Sequence, residues 1–242
     1  MTQILGESRN NSVLEKTLNV IGPIKNKFSK PDCKVHIFLQ ENAIDSLWFN
    51  GYYEEYEFFN RYRKTINEGI VWADQDLKCY GHFYNVYTQK GLPGTNDNAL
   101  TLSQEYYNYA INYFYEGDIY NSMFYLGAVC HLIQDITVPQ HATGDLLNNH
   151  IQFENYVKLR YLKINRFRTY SEPIYFNTVE EYIKFNSYNA IKNQHLHRYI
   201  QNLNSRFYLI AEKALEFSQR TTAGILILYF ENTYMQNYKN QI

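Results

Sequence analysis

Two histidine–carboxylate pairs stand at helical spacing within a short stretch of the chain. His131 and Asp135 are four residues apart, and so are His150 and Glu154. On an α-helix, residues at i and i+4 leave the same face, so each pair directs an imidazole and a carboxylate toward one point. His141 lies between the two pairs, just past a proline. Imidazole and carboxylate together form a ligand set that suits Zn²⁺.

Each pair taken alone has a plainer interpretation. The face that carries His131 continues through Ala128 and Phe124, which are apolar, so His131 and Asp135 could form a buried hydrogen bond that only supports the core. The second pair alone could be an ordinary surface pair. Two helices joined by a short connection nevertheless aim all five groups at one space, and chance spacing explains this poorly. We therefore expect one shared site.

Three upstream side chains are candidates for the same site. His36 stands near the start of a predicted helix, and Asp74 and His82 flank an irregular segment of the kind that carries functional residues. Alone, each of them is most simply a solvated side chain. His195 and His197 are alternate residues, which cannot share one helix face, and we interpret them as a solvated helix start.

Eight ligands are more than one tetrahedral zinc ion needs, and they suffice for two or three ions. Metal ions a few ångström apart stabilise the attacking and leaving oxygens of phosphoryl transfer. The residues by themselves therefore predict metal-assisted hydrolysis of a phosphate ester. The predicted ligands are His36, Asp74, His82, His131, Asp135, His141, His150 and Glu154.

The rest of the sequence predicts helices around this site. The chain of 242 residues holds only 11 Gly and 5 Pro, too few for the closely spaced turns of an all-β fold. We predict one all-α domain over 33–242, after a polar N-terminal extension over 1–32. Loops are predicted over Gly69–Gly81 and around residues 91–97. Apolar spacing predicts helices over 12–21, 34–48, 52–66, 102–116, 149–163, 178–193, 198–219 and 221–238, and one capped by Asp118 that runs to about Ile136.

Composition and charge exclude several classes of protein. Apolar residues make up 45% of the chain, which argues against intrinsic disorder. The net charge of −1 lacks the basic footprint of a backbone-driven nucleic-acid binder, so we expect no stable nucleic-acid partner. The three cysteines form no CxxC pattern. No signal peptide or transmembrane run is recognisable, so the expected protein is soluble and either cytoplasmic or already freed of a targeting segment.

The stretch from Phe124 to Val157 resembles the bacterial zinc-dependent phospholipase C family. It contains YLG, then HLIQDITVPQH over 131–141 and HIQFE over 150–154, where the family carries YLG, HxxxDxxxPxH and HxxFE. Upstream, Gly69 with Asp74 five residues later resembles the family's glycine and metal-binding aspartate. The segment that begins at His82 resembles its HFYD segment. The similarity extends over roughly residues 34–240.

This resemblance implies a helical bundle with a multinuclear zinc cleft and a phospholipase C activity. Such an enzyme cleaves phosphatidylcholine-type lipids at a membrane surface to diacylglycerol and a phosphorylated head group. It also implies a monomer, and the family is typically secreted. Asp74 would orient the attacking water. One zinc would be held by Asp74, His82, His131 and Asp135, a second by His141, His150 and Glu154, and a third by His36, Asp135 and an N-terminal tryptophan.

The third zinc site is where this sequence departs from the family. No tryptophan precedes Trp48. Cys33, three residues before His36, could offer a thiolate instead, although a half-buried unreactive thiol is the plainer interpretation. We therefore expect two or three zinc ions per chain. Two alternative functions stay open: a zinc-dependent single-strand nuclease of the same superfamily, and a non-catalytic zinc-binding relative.

Overall fold

The computed structural model describes residues 33–147 and 149–236. Within these ranges the chain is helical, it contains no β-strand, and one isolated antiparallel bridge joins Asn85 and Lys90. The all-α prediction is therefore confirmed for this part of the chain. The predicted extension over 1–32 and the predicted helix over 12–21 lie outside the described residues.

Eight α-helices make up the described part of the fold, joined by two short 3₁₀ helices and ending in a π-helical turn. The 3₁₀ helices span Asp76–Gly81 and Asn165–Phe167, and the π-helical turn spans Glu231–Met235. The α-helices are α1 (Lys34–Phe49), α2 (Tyr53–Ala73), α3 (Ala99–Tyr115), α4 (Ile119–Asp135), α5 (Pro139–Thr143), α6 (His150–Lys158), α7 (Val179–His197) and α8 (Leu203–Phe230).

Polar side chains fix where several helices begin. The carboxylate of Asp118 accepts a hydrogen bond from the backbone N–H of Asn121, so Asp118 caps α4 as predicted. Asn98 and Thr101 form a reciprocal capping box at the start of α3. These side chains satisfy backbone N–H groups that the first helical turn leaves without partners.

Helix α4 is the centre of the bundle. It packs against α2, α3 and α8, and every residue from Leu126 to Asp135 is buried. A helix buried on all sides tolerates polar groups only where they find partners. His131 and Asp135 are therefore interior residues whose polar atoms must be satisfied by neighbouring elements.

Two glycines allow α2 and α4 to cross closely. A Cβ atom on Gly69 would lie 1.8 Å from the carbonyl oxygen of Phe124, and one on Gly127 would lie 2.0 Å from that of Ile66. No other residue fits at either position without moving a helix backbone. The crossing brings Asp74, at the C-terminal end of α2, close to His131 on α4.

The loop predicted over Gly69–Gly81 was wrong in its first half. Helix α2 continues through Gly69 to Ala73, and a 3₁₀ helix follows. Glycine weakens an isolated helix, but here its missing side chain is what lets α2 pack against the backbone of α4. Tertiary packing therefore outweighs the local preference.

Two predicted boundaries in the C-terminal half were also wrong. The break predicted near residue 220 does not occur, since α8 is continuous; the Thr221 hydroxyl donates to the carbonyl oxygen of Phe217 within the same helix. Helix α7 extends to His197, so His195 and His197 lie in its last turn rather than at a helix start.

A second apolar cluster fixes α6 against α1 and α8. It therefore positions the N-terminal part of α1 and helix α6, both of which carry candidate ligands. Its buried members are Phe38, Leu39, Phe153, Tyr156, Val157, Phe167, Phe207, Ile210, Ala211 and Leu215. In the described ranges, no helix is both long enough and apolar enough to span a membrane.

Candidate metal centre

The structure brings all eight predicted ligands together where the ends of six elements meet. They form three groups, and within each group one ligand atom per residue lies within 4.8 Å of the others. The groups are His36, His131 and Asp135; Asp74, His82 and His131; and His141, His150 and Glu154. His195 and His197 belong to none of these groups.

Asp135 connects the side chains of four histidines. Its Oδ1 atom lies 3.3 Å from Nε2 of His36. Its Oδ2 atom lies 2.7 Å from Nδ1 of His82, 3.1 Å from Nε2 of His131 and 3.7 Å from Nδ1 of His141. The two oxygens of this carboxylate therefore face different histidines.

His131 is fully buried and belongs to two of the three groups. Neither of its ring nitrogens has a hydrogen-bond partner among the described residues, although Nε2 lies near Asp135. That contact is close but lacks hydrogen-bond geometry. Buried polar atoms without partners are rare in folded proteins, and a bound ion can satisfy them where they occur. The donor set around His131 therefore fits a metal.

The His141, His150 and Glu154 group has the dimensions of a zinc site. Bonds of about 2.0–2.1 Å at tetrahedral angles separate two zinc ligands by about 3.3 Å. Nε2 of His150 lies 3.2 Å from Nε2 of His141 and 2.7 Å from Oε1 of Glu154. Nε2 of His141 lies 3.6 Å from the same oxygen. These three separations bracket the tetrahedral value.

Hydrogen bonds away from the cluster orient three of the histidines. His36 donates from Nδ1 to Oε1 of Gln134 at 3.0 Å, and His82 donates from Nε2 to the carbonyl oxygen of Ala73 at 3.1 Å. His141 donates from Nδ1 to the carbonyl oxygen of His82 at 3.4 Å. Because these acceptors carry no proton, the ring nitrogen that faces each of them is the donor, and the other ring nitrogen faces the cluster. Metal-binding histidines show this pattern almost without exception.

Residues 35–214 match the model of a family described as zinc dependent phospholipase C. This chain belongs to that family. The family expected from the sequence motifs is thereby confirmed. The chain is a member of a zinc-dependent family, and its donor groups suit several zinc ions.

Among solved structures, two clostridial toxins share the fold. The alpha toxin from Clostridium absonum superposes with a TM-score of 0.69 at 17% identity, over 81% of this chain and 63% of the toxin. The alpha-toxin of Clostridium perfringens avian strain SWCP gives a TM-score of 0.61 at 16% identity, over 82% of this chain and 63% of the toxin. The chain thus spans less than two thirds of either toxin. A search of curated proteins found no match.

Neighbouring histidines favour the charged form of two carboxylates in the centre. Burial would raise the pKa of Asp135, but the surrounding histidines, His131 first, hold it well below its ordinary value. Desolvation opposes ionisation of Glu154 as well, yet the adjacent His141 and His150 lower its pKa to about 2. Both carboxylates are therefore negative at neutral pH, as metal ligands must be.

The histidines respond in opposite directions to this environment. Burial and the neighbouring His131 lower the pKa of His36, which favours the neutral, metal-binding form. Burial also acts against protonation of His141, but Asp135 and Glu154 outweigh it and raise its pKa to about 9. In the metal-free protein His141 thus holds a proton at neutral pH, and a metal ion must displace that proton.

Asp74 and Cys33 lie together at the edge of the centre. Asp74 follows the last residue of α2 and is half-buried, and the thiol of Cys33 donates to its Oδ2 atom at 3.5 Å. Cys33 immediately precedes α1 with a left-handed φ of 30°. None of the three ligand groups includes Cys33, so the substitute-ligand hypothesis stays a hypothesis beside the plainer interpretation of an unreactive thiol.

Sequence reasoning missed two kinds of contact at this centre. Gln134, beside Asp135, carries no motif signal, although it holds His36 in place. The ring of Phe83 stacks on that of His141 with centroids 4.6 Å apart. The HFY segment after His82 could have directed attention to Phe83, whereas nothing in the sequence identifies a backbone acceptor such as Ala73.

Proposed function

We propose that this chain is a zinc-dependent phosphodiester hydrolase of the phospholipase C type. The observation that carries the proposal is that the three ligand groups are adjacent: His131 belongs to two of them, and Asp135 lies 3.7 Å from His141 of the third. A single catalytic or structural zinc needs only three or four protein ligands, whereas this centre offers eight. Adjacent ions suit a reaction in which charge develops on two oxygens of one phosphate.

The proposed substrate is a phosphatidylcholine-type phospholipid at a membrane surface. In the reaction, a water oxygen bonds to phosphorus, and the bond between phosphorus and the glycerol oxygen breaks. The products are diacylglycerol and a phosphorylated head group. With three carboxylates against two or three divalent cations, the cleft is net positive and favours an anionic phosphodiester.

The chain's own residues supply orientation and proton transfer. When bound, zinc supplies Lewis-acid chemistry that neutralises phosphate charge and activates water at neutral pH. Asp74 is half-buried at the edge of the centre, so it is able both to bind and to orient the attacking water and accept its proton. Gln134, Ala73 and the backbone of His82 keep three imidazoles aimed at the centre.

The test is to purify the chain without chelator and to measure zinc per chain. A phosphatidylcholine dispersion and single-stranded DNA are then assayed side by side, with and without prior removal of zinc. We expect at least two zinc ions and zinc-dependent release of phosphocholine. DNA cleavage without lipid cleavage would support the nuclease instead, and bound zinc with neither activity would identify a non-catalytic relative.

A further inference from the structure

Helix α6 and the turns that follow it expose a row of aliphatic side chains. Ile151 is exposed, and Leu159 and Leu162 are 64% and 66% exposed. Backbone hydrogen bonds continue helical turns as far as residue 164, so positions 151, 159 and 162 lie on one face. We call these three residues the α6 apolar face.

This face is adjacent to the metal centre. His150 and Glu154, which form one ligand group with His141, stand on the same short helix, and Ile151 directly follows His150. The opposite side of α6 is buried in the second apolar cluster. The helix thus has an anchored side, a ligand-bearing side and an exposed apolar side.

The α6 apolar face lies in a basic segment, although the chain as a whole is nearly neutral. Residues 147–168 contain five Lys or Arg and a single acidic residue, Glu154, whereas the whole chain has a net charge of −1. Lys158 and Lys163 are both exposed and flank the face along the helix. Exposed aliphatic groups bordered by lysines are typical of surfaces that bind the interface of anionic lipid membranes.

A second exposed apolar patch lies farther from the metal centre. Phe49, at the C-terminal end of α1, is exposed and packs against Tyr170. It is separated from His36 by 13 positions of the same helix, or about 20 Å at 1.5 Å per residue. The α6 apolar face is better placed to hold a lipid surface against the centre.

We propose that the α6 apolar face docks on phospholipid membranes that contain anionic lipid. Ile151, Leu159 and Leu162 enter the boundary between head groups and acyl chains, and Lys158 and Lys163 contact lipid phosphates. The inference rests on the proposed function for its substrate. Binding is nevertheless measurable without turnover, so the two proposals fail separately.

The experiment is sedimentation of the full chain with sucrose-loaded vesicles. One set is pure phosphatidylcholine, and the other contains about a quarter phosphatidylglycerol. The first variant combines Leu159→Ser with Leu162→Ser, and the second combines Lys158→Gln with Lys163→Gln. Leu196→Ser is the matched control, because Leu196 is 65% exposed on α7. Thermal melts and zinc content verify that each variant is folded.

We expect the leucine variant to bind mixed vesicles at least about tenfold more weakly than the wild type, since each leucine loses apolar burial. The lysine variant should lose the preference for anionic vesicles, and high salt should weaken wild-type binding to them. Leu196→Ser should bind as the wild type does.

Several results would overturn the proposal. One is wild-type protein that does not bind mixed vesicles, and another is a leucine variant that binds them as tightly as the wild type. Loss of binding in a further variant, Phe49→Ser, with binding retained in the leucine variant, would place the docking surface on α1 instead. A change from dimer to monomer in the leucine variant, with vesicle binding intact, would identify the face as a contact between two copies. Vesicle binding without lipid hydrolysis would contradict only the proposed function.

Discussion

Hydrogen bonds from outside the cluster constrain three of its histidines. His36, His82 and His141 each use one ring nitrogen for an oxygen acceptor outside the cluster and present the other to it. This fixes the ring orientation before any ion arrives. His131 differs, because it is buried without such a partner. Replacing His131 or a neighbouring histidine therefore tests whether these side chains bind zinc.

Single replacements of His131, His141 or His150 by Ala should lower zinc content and thermal stability together. The reason is that metal binding to ligands assembled by folding contributes to the folding free energy. Zinc per chain by atomic emission and the melting temperature measure the two effects. His195→Ala, an exposed histidine outside the groups, is the control and should change neither. Full zinc occupancy in the three variants would refute the ligand assignment.

Replacing Asp74 by Asn should reduce turnover far more than substrate affinity. A carboxylate that accepts a proton from water contributes on the order of 10²–10⁴-fold, and an amide cannot replace it in that role. The measurement is kcat and KM on phosphatidylcholine at equal zinc content. Asp145→Asn, an exposed aspartate of the α5–α6 connection, serves as the control. A wild-type rate in Asp74→Asn would remove this residue from the mechanism.

Gln134→Leu should weaken one zinc ion without emptying the others. It removes the oxygen that holds Nδ1 of His36, and loss of such an outer partner typically costs about 10–100-fold in metal affinity. Competition with a fluorescent chelator measures the affinity of each ion. Gln219→Leu is matched, since Gln219 is buried but bonded away from the centre. An equal effect in both variants would show that the loss is merely one of stability.

At the scale of elements, residue spacing predicted the ligand pairs that lie on one helix. It missed the contacts that depend on how two helices pack. The pairs on α4 and α6 followed from the i,i+4 rule because each pair stays on one helix. That His131 belongs to two groups was not predictable, since it depends on how closely α2 approaches α4 at Gly69 and Gly127. The same crossing explains why the loop predicted at Gly69 was wrong.

Gly127→Ala should destabilise the bundle despite the better helix propensity of alanine. The added Cβ would meet the carbonyl oxygen of Ile66 at 2.0 Å, so the helices must separate. Overpacking of this kind costs about 1–3 kcal/mol, which corresponds to a fall in Tm of roughly 2–4 °C per kcal/mol. Gln104→Ala, on the exposed side of α3, should stay within about 0.5 kcal/mol. An unchanged Tm for Gly127→Ala would mean that the crossing is looser than described.

At the scale of the molecule, the metal centre is the point where otherwise separate parts of the fold are joined. The main apolar core packs around α4, and the second cluster packs α6 against α1 and α8. Predicted ligands from both regions converge on the centre. The sequence predicted which residues converge, because their types and spacing are local. It could not predict which atoms face one another, because that depends on the packing of both cores.

Removal of zinc should therefore weaken the connection between these two regions. Ligands that bind only the folded state stabilise it in proportion to the logarithm of their concentration over Kd, so a tightly held ion adds several kcal/mol. With roughly 2–4 °C per kcal/mol for a chain of this size, dialysis against chelator should lower Tm by about 10 °C. Added Zn²⁺ should restore it, whereas Mg²⁺, which prefers all-oxygen octahedral sites, should not. Amide hydrogen exchange should rise first in the short helices α5 and α6, because these carry His141, His150 and Glu154. An unchanged Tm after verified loss of zinc would show that packing alone holds the two regions together.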